Sequence, residues 1–516
     1  MITFSSFSAK DHAAADEYAV VIVGGGLAGL ELAKELELRG VPGVLVVEAG
    51  PATELEHANW AYPADTALRK WLLPETDTYF RRPWSSATPP SYTGSSGIRQ
   101  RLGGRSLYWY GVALPIEPET LDSSAWPAVI VDDLRHSGRD GAGLYRRIER
   151  RLAAWRGFDS PGPASDEETP MLGPYRLRHT PKAIRYAADG SGRWRAYSPL
   201  EHWLGPEQTP QARPRVEIRT HAEVHRILIE GGRARGVVVR DRLTGAQTNI
   251  VAAHVVLAAG TIPSTALAIR ALHENGALSR PRSSGLSDHM VQGVFVRIRS
   301  RHAERLLHHI PPGSYYSPCV TEARSNLFLD LTRESDGSVF VDLQMTGEQL
   351  PSTDNYVELT LPLGNPSIRI HAVPTRADEA VLLAQRRILQ DAWTELAALA
   401  ACRAGLLEFG DFRSPSRTNE FVLPETMRTS KWGEPATWSG FLGTEDHEGC
   451  TLPLGTVLDD NHEFPQITGL YAAGPVAFPR LGAANPSLTT LALTHRLAAI
   501  LTDRLGATPA AHQHHG

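Results

Sequence analysis

The chain has 516 residues, 42% hydrophobic and 21% charged, with a formal net charge of −5. That length exceeds what one hydrophobic core usually supports, so two domains or one large composite unit are expected. The charge balance excludes the basic surface of a nucleic-acid or anionic-membrane binder.

Three cysteines, Cys319, Cys402 and Cys450, form no CxxC pair, which argues against a disulfide framework and structural zinc and suits a reducing compartment. The opening MITFSSFSAKDHAAADE has no basic stretch followed by an apolar one, so no signal peptide is read. The longest apolar run, VVLAAGTIPSTALAI, is broken by Gly260, Pro263 and Ser264 and falls short of a membrane span. A cytoplasmic protein without membrane partners is expected.

Tyr18–Val23 is a continuous apolar, β-branched run, the pattern of a strand buried on both faces. It leads into Gly24-Gly25-Gly26-Leu27-Ala28-Gly29, a G-x-G-x-x-G. A helical pattern follows through Leu30, Leu32, Ala33 and Leu36 and ends at Gly40. A second strand, Val44–Val47, terminates in Glu48. Gly24 allows the tight turn, Gly26 lets the backbone approach a pyrophosphate, and Gly29 lets the helix pack on the strand. The helix N-terminus attracts phosphate charge. Glu48 can accept hydrogen bonds from both ribose hydroxyls. These parts in register mark a dinucleotide site without separating NAD from FAD; the early position followed by EAG favours FAD by analogy with other flavoproteins.

Residues 51–100 are rich in Pro, Ser, Thr and aromatics, among them Trp60, Trp71, Trp84 and Tyr92. They read as an excursion over the nucleotide fold, with RLGGRSLYWYG (101–111) returning to it. Residues 136–213 are irregular, with arginine-rich helical and proline-rich pieces. From Val216 the pattern turns strand-like (VEIRT, EVHRILIE, RGVVVR), and HVVLAAG is a buried strand leading to a helix from about Pro263. Period-two strands follow: GVFVRIR, NLFLDL, SVFVDLQM, NYVELTL and SIRIHAV, with Asp336-Gly337 as a hairpin turn. They predict one mostly antiparallel sheet backed by a helix over about 377–404. GLYAAG is a further buried strand, and NPSLTTLALTHRLAAIL closes as an amphipathic helix. Within EDHEGCTLPLG (445–455), His447 admits three readings: a metal ligand, a bystander in an acidic turn, or a base working near neutral pH.

Four blocks together resemble the glucose–methanol–choline oxidoreductase family of flavoproteins: VVIVGGGLAGLELA…VVEAG; LGGRSLYWYG; HAEVHRILIEGGRARGVVV…HVVLAAGTIPSTALA; and DHEGCTLPLG…LYAAGPVAFPRLGAANPSLTTLALTHRLA. SDHM (287–290) matches a short Asp-His element of the family. The resemblance implies an α/β protein: a Rossmann-like FAD-binding domain joined to a substrate domain built on a mostly antiparallel sheet. It assigns 15–60, 98–135, 214–292 and 446–505 to the FAD-binding domain. Residues 61–97, 136–213 and 293–445 form the substrate domain and lid, and 1–14 and 506–516 are flexible termini.

The resemblance also implies site residues. The first block brings Gly24, Gly26, Leu27, Ala28, Gly29, Glu48 and Ala49 to FAD, and the second Gly103, Gly104, Ser106, Tyr108 and Trp109. The third brings Val224, through its backbone at the adenine edge, with Ala259 and Gly260; the fourth brings Gly474 and Pro486. His447 falls at the family's catalytic histidine and Asn485 at its partner. This His–Asn version is most like the pyranose oxidase and sugar dehydrogenase branch. Three departures stand out. Cys450 replaces a usual glycine, Gly474 stands where many members carry Asp, and Tyr108 holds the position where some members tether the flavin through a histidine. FAD is therefore expected to be held without a covalent bond.

The implied chemistry is oxidation of a CH–OH group in a small alcohol or sugar, with oxygen or another electron acceptor. A histidine of ordinary pKa about 6.5 suits the hydroxyl proton, and Asn485 would orient the same oxygen. Glu445, Asp446 and Glu448 are expected as solvated loop charges; the alternative is that one faces the cavity and favours a cationic substrate. The aromatics of 60–110 fit either ring stacking or lid packing. His289 is expected to be structural, and no metal is expected. Two other readings stay open: a non-redox lyase of the hydroxynitrile type with structural FAD, and a cofactor-binding protein without turnover.

Overall fold

The computed structural model describes residues 5–6, 17–88, 96–137, 141–157, 169–205, 216–360, 362, 366–410, 431–440 and 442–506. Tyr92 and most of both expected flexible termini lie outside them; Ser5 and Ser6 pair with Arg219 and Thr220 at a sheet edge.

The nucleotide half is built on β1 (Glu17–Val23), α1 (Leu27–Leu38), β2 (Val44–Val47), β3 (Val216–Thr220), β4 (Ala222–Glu230), β5 (Arg233–Asp241) and β6 (Gln247–Leu257). The helix α2 (Thr261–Glu274) follows β6. Val20, Val21 and Ile22 are fully buried, as an all-apolar central strand must be, and each contributes about 1.5–3 kcal/mol by burial. The parallel order is β3-β2-β1-β6, with a late strand, Ile467–Ala472, on β6. The chain moves from β1 to one side of the sheet and returns to the other, which opens a crevice at the C-terminal ends of β1 and β6. β4, β5 and the first half of β6 form an antiparallel meander.

The second half comprises β7 (His289–Ile298), β8 (Gly313–Val320), β9 (Ser325–Arg333), β10 (Val339–Glu348), α3 (Arg376–Leu399) and β11 (Ala436–Ser439), in the antiparallel order β11-β7-β10-β9-β8. Alternation sorts its faces. Val294, Val296, Leu327, Leu329, Val341 and Leu343 pack with Ile388, Leu389 and Trp393 of α3. Phe295, Phe328, Asp330, Asp342 and Gln344 line a cavity. The hairpin at Asp336-Gly337 is present, with Gly337 at φ 78°.

Two expectations change. NYVELTL and SIRIHAV do not join this sheet; they pair with Arg282–Ser284 and Trp84–Ser86 in a separate four-stranded one. The reason is their apolar face, since Val357 and Ile370 pack on Ile262 and Ile269 of α2. The long helix stops at Leu399, because Ala401 takes φ 48° and the Cys402 N–H returns to the Ala397 carbonyl. That is a left-handed helix stop, here without the usual glycine. The strand Ile467–Ala472 (β12) leads to the closing helix α4 (Ser487–Arg504), which packs on α1. Among the described residues no helix is long and apolar enough to cross a membrane.

Candidate active site

One cavity of about 2030 Å³ runs from the first glycine loop to the second sheet. That exceeds the roughly 300–1,000 Å³ of a site for one drug-sized ligand, leaving room for a dinucleotide and a substrate together. Gly24, Gly26, Leu27, Ala28, Glu48, Ala49, Gly104, Ser106, Tyr108, Trp109, Val224, Ala259, Gly260, Gly474, Pro486, His447 and Asn485 all line it. Gly29 and Gly103 do not.

The glycines divide by task. A Cβ on Gly29 would sit 2.0 Å from the Gly24 carbonyl oxygen, so it serves the packing of α1 on β1. A Cβ on Gly26 would meet nothing within 4 Å, so the space in front of it is open for a ligand. Gly26 also precedes α1 with no side-chain cap, and the helix presents free N–H groups and a partial positive charge there. Gly103 makes a left-handed turn, φ 94°, whose N–H donates to Gly25 at 2.8 Å and joins the two glycine blocks.

Glu48 is buried, and its two carboxylate oxygens accept the N–H groups of Gly25 (2.9 Å) and Gly50 (2.7 Å). Burial raises this carboxyl above its ordinary range and those N–H groups oppose the rise. A carboxylate offers about four lone-pair directions, so capacity remains for a ribose. A β-bulge at Val224–Arg226 breaks the pairing of β4 where it borders the cavity. These features fit a bound dinucleotide.

At the other end, His447 is fixed through a second histidine. His289 Nε2 lies 2.9 Å from the Gly482 carbonyl, and His289 Nδ1 lies 2.8 Å from His447 Nδ1. Burial pushes His289 down to about 4, so it is neutral. A carbonyl only accepts, so the His289 proton sits on Nε2 and its bare Nδ1 accepts from His447 Nδ1–H. The lone pair of His447 is thereby left on Nε2. Burial, then His289 and Arg105, push His447 well below the usual imidazole range. The result is a neutral imidazole with its basic nitrogen assigned. Asn485 lines the same cavity, and its Oδ1 is buried without a hydrogen-bond partner among the described residues.

The acidic neighbours are not solvated, contrary to expectation. Glu448 is buried and takes a two-pronged contact from Arg105 (2.7 and 3.1 Å) as well as Ser96 Oγ (3.1 Å). Arg105 also reaches Asp446 Oδ1 at 2.9 Å. Burial lifts Asp446 to about 7, opposed by Arg105. Glu445 is half-buried and is likewise lifted to about 7 by burial, with Asp446 adding to the rise. The spacing of the acids suggested a turn; the arginine that pulls them inward lies 341 residues before Asp446 in sequence, inside the second block, and only its place in LGGRSLYWYG hinted at it.

The Asp-His element has a defined task as well. Asp288 accepts the Gly443 N–H at 2.6 Å and the His289 N–H at 2.7 Å. Ser287 and Gly449 exchange backbone hydrogen bonds. The loop bearing Asn485 is held by Glu348, which accepts Gly482 N–H and pairs with Arg480. Glu117 accepts Ala483 N–H there. A Cβ on Gly482 would meet Glu117 Oε2 at 2.4 Å. None of Arg105, Glu117, Glu348 or Arg480 was marked by the sequence. Tyr108 is buried, its hydroxyl accepts from Arg101 at 3.1 Å, and burial raises it far above the ordinary phenol range. Trp71 and Tyr110 pack edge-to-face in the cavity wall, ring centres 5.3 Å apart.

Away from the cavity, Glu31, Glu35 and His495 bring ligand atoms within 4.8 Å of one another. Lys34 contacts Glu31 at 3.0 Å and Arg151 contacts Glu35 at 2.5 Å, so these carboxylates are held in ion pairs.

A parallel sheet with an uncapped glycine-loop helix, joined to an antiparallel sheet over one shared cavity, defines a dinucleotide-dependent α/β protein. Residues 351–494 match the family described as GMC oxidoreductase, and residues 205–398 match an FAD binding domain. Each match covers less than half of the chain, and together they make it similar to the FAD-dependent oxidoreductases of the GMC family. Solved structures share the fold. Pyridoxine 4-oxidase from Mesorbium loti is 17% identical, covering 94% of this chain and 99% of that one, with TM-score 0.56. A variant of formate oxidase from Aspergillus oryzae RIB40 is 15% identical, covering 95% and 99%, with TM-score 0.60. No curated protein matches the sequence.

Proposed function

We propose that this flavoprotein oxidises a CH–OH group to a carbonyl, with His447 Nε2 as the base for the hydroxyl proton. The observation that carries this is the chain Gly482 C=O, His289, His447, which leaves one unprotonated nitrogen at the cavity. Bound FAD supplies the hydride acceptor. His447 Nε2 takes the proton as the carbon's hydrogen leaves, and its depressed pKa keeps it free to do so at neutral pH. Asn485 lines the same cavity with an Oδ1 that has no hydrogen-bond partner among the described residues, and its amide is suited to hold the substrate hydroxyl and aim its carbon. The N-termini of α1 and α4, neither with a side-chain cap, would favour negative charge on a bound cofactor.

FAD is held without a covalent bond in this reading. Tyr108, at the tether position, is buried with a strongly raised pKa and is a poor nucleophile. The His–Asn pair keeps sugars and other alcohols within the substrate range. The test is anaerobic: a panel of sugars, amino sugars, aryl alcohols and amino alcohols is mixed with the yellow holoenzyme, and loss of the flavin band is followed. Bleaching by at least one alcohol is expected in the wild type and is slowed in His447→Ala. Turnover of an alcohol-derived substrate without any bleaching would overturn the reading in favour of a lyase.

A further inference from the structure

The second sheet turns charged as well as apolar side chains to the cavity. Asp330 on β9 and Asp342 on β10 are directly opposed across the antiparallel pair, and both line the cavity. Like charges placed so are destabilising, so the arrangement invites a counter-charge. Lys182 Nζ, 3.8 Å from Asp330, is a single cation that also acts on Asp342, so it does not balance both. Glu445, two residues before His447, lines the same space and acts electrostatically on Asp342. Asp342 Oδ1 is buried with no hydrogen-bond partner among the described residues. A buried acceptor left so is destabilising, more so if charged.

Beside these acids lies an aromatic row. Phe295, opposite Asp342 on β7, stacks on Phe340 and Trp438 at 5.5 and 5.8 Å between ring centres, and all three line the cavity. Carboxylates next to aromatic faces suit an organic cation, through charge and through the ring quadrupole. Asn485, independently, lines the same cavity as the base, and its buried Oδ1 has no hydrogen-bond partner among the described residues.

We propose that the wall formed by Asp330, Asp342 and Glu445 binds the protonated nitrogen of an amine-bearing alcohol, whose hydroxyl is presented to His447 and Asn485. This deepens the alcohol-oxidase reading and rests on it for the ligand's being a substrate. Burial, with Asp330 and Glu445, raises Asp342 well above the carboxylate range, and Lys182 opposes the rise only in part. A bound ammonium group supplies the charge that lets it ionise.

The test needs no turnover. Oxidised holoenzyme is titrated with benzyltrimethylammonium, benzamide and benzoate, and the perturbation of the flavin spectrum is read. The cation is expected to bind at least about tenfold more tightly than the neutral probe, a difference of about 1.4 kcal/mol, with benzoate weakest. In Asp342→Asn and Glu445→Gln, each assayed at full FAD content, that selectivity should shrink several-fold. Should Asp342→Asn lose FAD, Glu445→Gln and Asp330→Asn carry the comparison. Equal affinity for cation and neutral probe in the wild type, or tightest binding of benzoate, overturns the proposal, as does unchanged selectivity in the variants. Cation binding in a protein whose flavin no alcohol reduces would count against the oxidation reading and not against this wall.

Discussion

Replacing His289 tests the assignment of the basic nitrogen. His289→Leu removes the acceptor of His447 Nδ1–H. A buried N–H without a partner costs about 1–3 kcal/mol, and that penalty falls on the productive tautomer alone, since the other carries its proton on Nε2 and cannot act as a base. At about 1.4 kcal/mol per tenfold in rate, flavin reduction should slow roughly 5- to 150-fold. Anaerobic stopped-flow at saturating substrate measures it. His289→Asn, whose carbonyl oxygen can stand in for Nδ1, should recover part of the loss. The double variant with His447→Ala should be no slower than His447→Ala itself, because both changes act on one nitrogen. An unchanged reduction rate with FAD bound, or losses that multiply in the double variant, would refute the relay.

His447→Ala should retain FAD and reduce it roughly 10²–10⁴-fold more slowly, the usual range for losing a general base; Asn485→Ala should have a smaller effect, both measured by the same mixing experiment. Because His447 is held well below 6.5, its protonation should remove reduction only as pH falls well below that value; a limb centred at 6.5 or above in the pH profile would contradict it. Gly26→Leu should leave a folded protein without yellow colour, since nothing in the protein occupies that space. Gly29→Ala should lower the melting temperature of the apoprotein, its Cβ being forced onto the Gly24 carbonyl. Acid precipitation should release all FAD into the supernatant, and colour in the pellet would show a bond to the protein.

The nucleotide half was legible because its signals are local. A buried strand, spaced glycines, a helix and an acid lie within residues 18–50, and each is dictated by backbone geometry or by the need to exclude water. The antiparallel sheet was equally legible by alternation, but alternation does not say which strands share a sheet. That choice fell to α2, whose Ile262 and Ile269 drew Val357 and Ile370 away. The site was legible only where a motif carried it. His447 and Asn485 could be placed by their blocks, whereas the state of Glu448 depends on Arg105, and the tautomer of His447 on His289 and the Gly482 carbonyl. Such long-range pairings leave no periodic trace in sequence.

The loop around His447 shows why so many distant contacts converge there. Asp446 and Cys450 both take left-handed backbone angles, φ 57° and 68°, each costing about 1–3 kcal/mol in a residue with a side chain. Glycine, usual at the second position in the resembled family, would relieve that strain but would also let the loop wander. Arg105 grips Asp446 and Glu448, Thr261 Oγ donates to the Glu448 carbonyl, and Asp288 and Ser287 hold Gly443 and Gly449. With both ends of the turn fixed and its middle strained, the imidazole keeps one orientation. A base that must meet a hydroxyl within hydrogen-bond reach gains more from that constancy than from the strain it would lose.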